Sequence, residues 1–95
     1  MSTLHTLSKA PSFGLLETCL SIIQTGDAVL LIEDGVYHCQ QPAELLKKAG
    51  VKFYCLREDL IARGLIDRKL GAIETVNTQG FVGLCAAHDG IVNWF

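Results

Sequence analysis

Apolar residues along this chain come in short runs, and the spacing between them switches repeatedly from strand-like to helix-like. Positions 2–7, STLHTL, alternate apolar and polar with β-branched content and predict a strand, with SKAPS as the loop after it. Over 13–26 the period lengthens: Leu16, Cys19, Leu20 and Ile23 share one helical face, and Gly26 stands as a stop. AVLLIED at 28–34 is a continuous apolar run ending in two carboxylates, the pattern of a central parallel strand covered on both sides. QPAELLKKAG at 41–50 predicts a helix with Pro42 in its first turn and Gly50 at its end. A third strand follows at 51–56, then a short helix at 57–65 stopped by Gly64, and a fourth strand at 72–76. A weaker helix at 77–90, capped by Asn77 or Thr78, and a last short strand at 91–95 complete the pattern.

Strand, helix, strand with short connections is the signature of an α/β domain whose sheet is mostly parallel, here with four or five strands. One such domain accounts for residues 1–95, since a chain of this length forms one core. Parallel sheets place their sites at the carboxyl ends of the strands, which draws attention to Glu33, Asp34 and Gly35.

Composition narrows what such a domain can do. Hydrophobic residues make up 49% of the chain, high for a domain expected to bury only about 60–65% of its extended surface. The excess leaves apolar surface for a partner, unless the sheet is densely covered on both faces. Net charge is −2 and the eight Lys and Arg are scattered, so there is no basic face to grip nucleic acid directly. No apolar run reaches membrane-spanning length, and the opening MSTLHTLSKAPSFG has neither a signal core nor an Arg-rich transit pattern, so a cytoplasmic protein is expected. In that compartment Cys19, Cys39, Cys55 and Cys85 read as reduced thiols.

The groups that could carry chemistry are few. No glycine-rich phosphate loop follows any predicted strand and no G-x-S-x-G elbow is present, so no nucleotide cofactor is expected. Glu33 and Asp34 are adjacent, so their side chains diverge on a strand, and they suit a cap or turn better than an acid/base pair. Cys85 and His88, three apart on a predicted helix, could begin a zinc site. The remaining ligands would come from scattered residues such as His38, Cys39 or Cys55, so no metal is expected. His38 and Cys39 are sequence neighbours that do not face each other, and Cys55 and Cys85 read as small core residues. Cys19 lies in the apolar arc of its helix, where a buried, inert thiol is the plain expectation.

LHTL with SKAP, LETCL in the first helix, VLLIEDGVY, LREDLIARGL and the closing VNWF together resemble the TusB/DsrH family, small subunits of bacterial sulfur-relay complexes. The resemblance runs in order along nearly the whole chain. It implies a three-layer α/β/α domain of the DsrE/F-like kind that joins TusC/DsrF-like and TusD/DsrE-like subunits in a heterohexamer. Such complexes hand persulfide sulfur between cysteines, with the main carrier on the TusD/DsrE-like partner. In the Tus branch the sulfur goes to 2-thiolation of a tRNA wobble uridine; in the Dsr branch, a DsrEFH complex, it serves cytoplasmic sulfur oxidation. A purely structural role with no transferred sulfur is the third option. Cys19 falls where DsrH-like members carry a cysteine and is the candidate persulfide-carrying thiol. The isolated chain is expected to self-associate, with EDGVY and DLIARG at the contact, Leu60, Ile61 and Leu65 supplying apolar area and Arg57 and Arg63 a polar rim.

Overall fold

A computed structural model describes residues 1–40, 48–68 and 73–94. Five strands, β1 (Thr3–Leu7), β2 (Ala28–Leu31), β3 (Lys52–Leu56), β4 (Glu74–Val76) and β5 (Gly90–Trp94), form one sheet in the order β4-β3-β2-β1-β5. Every neighbouring pair is parallel, with Leu4 opposite Ala28 and Ile91, and Val29 opposite Phe53.

Connection direction determines which face each helix covers. From β1 to β4 the chain steps one strand at a time in a single direction, so right-handed crossovers put α1 (Leu15–Ile22), the 3-10 helix Glu33–Gln40 and α2 (Arg57–Ala62) on the same face. The return from β4 to β5 runs back across the sheet and carries α3 (Thr78–Ala87) over the opposite face. The packing follows. Leu7, Val29, Leu31, Phe53 and Cys55 join Leu16, Cys19, Val36 and Leu60 in the larger core, while Leu4, Ala28 and Leu30 meet Phe81, Leu84 and Cys85 of α3 on the other side. The fold is a three-layer α/β/α sandwich.

Several boundaries differ from the sequence pattern. The second strand ends at Leu31 instead of running to 34, because Glu33 adopts φ 49° and the N–H of Gly35 bonds back to the carbonyl of Ile32 at 2.8 Å. EDGVYHCQ then winds into the 3-10 helix, which the sequence pattern did not indicate. Gly35 is required at this turn: a Cβ there would lie 1.8 Å from the carbonyl oxygen of Leu7. The helix expected over 41–50 falls mostly outside the described residues, and its last three positions form a turn in which Lys48 bridges to Val51. The first helix stops at Ile22, ahead of Gly26. Asn77 is the cap of α3, its Oδ1 accepting the N–H of Gly80 at 2.9 Å.

The expected contact surface needs the largest revision. Leu60 and Leu65 are core residues, fully and almost fully enclosed: α2 turns Leu60 onto the sheet, and the turn at Gly64 folds Leu65 back so that its N–H bonds the Leu60 carbonyl at 2.8 Å. They cannot supply area to a partner. Ile61, on the outer side of the same helix, is half exposed.

Candidate functional site

Two loops meet at the carboxyl ends of β2 and β3. Asp59 on α2 accepts the N–H of Glu33 at 2.6 Å, and Arg63 reaches Asp34 at 3.0 Å and Asp59 at 3.6 Å. EDGVY and DLIARG are thus tied by one ionic network. Arg63 is spent within the chain and is not a free rim residue, whereas Arg57 is exposed. Around this network the surface carries Phe13, Tyr37 and Ile61, with the ammonium of Lys9 lying 5.5 Å over the Phe13 ring.

In doubly wound sheets a ligand crevice opens where adjacent strands send their helices to opposite faces. Here that point lies between β3, followed by α2, and β4, followed by α3. The Glu58 carboxylate crosses it, accepting the backbone N–H of Thr78 at 3.2 Å and its hydroxyl at 3.0 Å. Glu58's own backbone N–H, assisted by Thr78, holds that carboxyl below its ordinary range. The amino end of α3 therefore already carries an anion supplied by the chain, in keeping with a sequence that has no phosphate loop.

Cys19 sits on the inner face of α1 with no exposed surface, packed in the larger core. Burial, and then the negative charge of Asp27, push its thiol from an ordinary 9.0 to about 11, against a smaller opposing pull from Lys48. The Lys48 ammonium is itself bound to the carbonyl of Leu20 at 2.5 Å. In this conformation the Cys19 thiol stays protonated at neutral pH, and a thiolate is what attacks sulfur. Cys39 and Cys55 are equally enclosed, Cys85 is partly exposed on α3, and none of the four is in a disulfide.

His38 and Cys39 are both buried along the 3-10 helix, so the histidine–cysteine pair marks the handover from strand to helix. His88 Nδ1 bonds the carbonyl of Leu84 at 2.8 Å, one turn back along α3. Among the described residues no three His, Cys, Asp or Glu side chains are placed to hold a metal ion.

A polar network that sequence reasoning missed runs from Asp27, just before β2, through His5 in the middle of β1 to Trp94 at the carboxyl end of β5. The buried His5 faces Asp27 through Nε2 at 3.2 Å and receives the Trp94 indole N–H at Nδ1 at 3.1 Å, its ring stacked on the indole with centroids 6.2 Å apart. Asp27 also accepts the backbone N–H of Thr3 and of Gln24, at 2.9 and 3.0 Å. Burial pushes the Asp27 carboxyl up, but these hydrogen bonds and His5 outweigh it and leave it below 3.8. Beside the network is a hollow of about 350 Å³ bordered by His5, Gln24, Asp27, Ile22 and Val92. The signals were present but faint: a histidine at an inward strand position, an aspartate just before an apolar run, and a terminal tryptophan.

With five parallel strands between helical layers and two motif loops locked together at their carboxyl ends, the chain has the DsrE/F-like architecture. The family model described as DsrH like protein matches residues 10–91. Proteins named TusB from Escherichia coli O157:H7, Shigella flexneri and Shigella dysenteriae serotype 1 are each 36% identical over 94 residues, covering 96% of this chain and 99% of theirs. The chain belongs to the TusB/DsrH family of sulfur-relay subunits, which work in complexes with TusC- and TusD-like partners.

Proposed function

We propose that this chain, acting as one domain, is the TusB-type subunit of a cytoplasmic relay that delivers persulfide sulfur for 2-thiolation of a tRNA wobble uridine. It would sit with TusC/DsrF-like and TusD/DsrE-like subunits in a heterohexamer. The observation that carries this reading is the end-to-end similarity to proteins named TusB. The matching family model bears the DsrH name, and a place in DsrEFH-type sulfur oxidation is what the test must separate from it.

Within that assembly Cys19 is the thiol we assign to sulfur transfer on this chain. Its thiolate would attack the terminal sulfur of a donor persulfide. A new sulfur–sulfur bond then forms at Cys19, the donor's own breaks, and the donor leaves as a thiolate. Because Cys19 is enclosed and protonated in the isolated fold, the step requires α1 to shift when partners bind. The same enclosure favours a second reading, in which the chain is a scaffold with no transferred sulfur.

Reconstituting the three-subunit complex with a persulfide donor separates these readings. Transfer through this chain predicts added sulfur on Cys19 by mass spectrometry and loss of tRNA 2-thiouridine formation in Cys19→Ser. Undiminished thiolation in Cys19→Ser, with no added sulfur in the wild-type chain, establishes the scaffold. A complex that never thiolates tRNA but supports sulfur oxidation in a host lacking its own subunit refutes the tRNA branch.

A further inference from the structure

Strand β5 is an edge strand whose Ile91 and Val92 remain well exposed, so apolar burial does little to hold it. Beyond the backbone ladder, polar links attach it to β1 and its flanks. The Ser2 N–H reaches Asp89 at 2.9 Å, Thr6 Oγ1 donates to Asn93 Oδ1 at 2.5 Å, and Ser8 Oγ donates to the Trp94 carbonyl at 3.3 Å. Of the two edge-strand residues that face the larger core, Val92 and Trp94, only Trp94 packs against it, and its indole N–H bonds His5 Nδ1.

That last bond dictates a protonation state. An indole N–H only donates, so Nδ1 must present a lone pair, and the ring proton sits on Nε2 facing Asp27. A neutral imidazole has a single acceptor nitrogen, so a further proton can bind only at Nδ1, where the indole is.

We propose that His5 is a protonation-controlled latch for β5. A proton taken from solvent at Nδ1 makes the ring an imidazolium, sets two N–H groups against each other, and releases Trp94 and the carboxyl end of β5 from β1. The Nε2–H to Asp27 contact survives this change and becomes a true ion pair. Asp27 is the charged group facing the ring from the turn into β2, with the protonated Cys19 near it on α1 and Lys48 beyond. Met1 stands at the rim of the hollow, and β5 presents no ionisable side chain between Gly90 and Trp94. The hollow gives water a route to a ring that is only 3% exposed.

The chain has a single tryptophan, so its indole N–H resonance is unambiguous. NMR of the isolated chain should show the His5 ring titrating together with a shift of the indole N–H. Amide exchange over residues 91–94 should rise by about tenfold in the same interval while β2 and β3 stay protected. In His5→Gln, which retains an acceptor but does not titrate, the indole signal should be independent of pH over that range. A His5 ring that titrates with the indole and β5 exchange unmoved overturns the latch. So does a ring that stays neutral until the whole fold is lost, or a His5→Gln chain that keeps the wild-type pH response.

Discussion

Gly35 and Cys19 illustrate how a single position is governed by what packs on it. Gly35 lets the backbone of the turn pass against the Leu7 carbonyl, so Gly35→Ala must push two backbones apart. Chemical denaturation should register a loss of about 1–3 kcal/mol. Cys19 makes a different, pH-dependent prediction. Its thiol keeps a proton in the folded chain up to about 11, while the unfolded thiol gives it up near 9.0. Between those values the folded state binds more protons, so stability declines as pH rises through the interval. Denaturation midpoints should fall from pH 9 toward 11, less steeply in Cys19→Ala. Alkylation of the native chain at neutral pH should mark Cys85, the partly exposed thiol, well before Cys19, Cys39 or Cys55.

Between elements, side chains of α2 tie that helix to the turn after β2. Arg63 joins Asp34 and Asp59, and Asp59 also holds the Glu33 N–H, so two side chains of DLIARG reach across to EDGVY. Exposed ion pairs contribute little, and Arg63→Met should cost about 0.5–1 kcal/mol, diminishing with added salt. Asp59→Ala should cost more, because it removes both the Glu33 hydrogen bond and an ion pair with Arg63, and only the ion-pair share of that cost should diminish with salt. Comparing the two variants at low and high ionic strength separates the hydrogen bond from the ion pairs.

For the molecule as a whole, charge and surface decide behaviour. Asp27 has its folded carboxyl below 3.8, so its contribution is present above that value and is lost as pH falls further, when the unfolded chain binds the proton first. The acid limb of the stability curve should flatten in Asp27→Asn. The outer surface meanwhile keeps Phe13, Ile22, Tyr37, Ile61 and Val82 in contact with water, apolar area that a second copy or a partner could cover. Sedimentation of the isolated chain at micromolar concentration should find a dimer or larger species. Ile61→Glu and Phe13→Glu should shift it toward monomer without unfolding it, an outcome not expected of the buried Leu60.

Periodicity alone was sufficient for the strands, for α1, α2 and α3, for the parallel sheet and for the burial of Cys19. Those follow from where apolar side chains recur, and recurrence is a local property of the chain. The ordered set of motifs was likewise enough to place the chain in its family, because it is read residue by residue. Three things depended on the folded chain. The 3-10 helix at 33–40 exists because Gly35 must clear a carbonyl twenty-eight positions earlier, at Leu7. Whether α2 offers Leu60 or Ile61 to a partner depends on which way a six-residue helix rolls on the sheet. The His5–Asp27–Trp94 network joins residues separated by 22 and 89 positions. Only strand order brings such residues within hydrogen-bonding distance, since placing β5 beside β1 sets the last strand against the first.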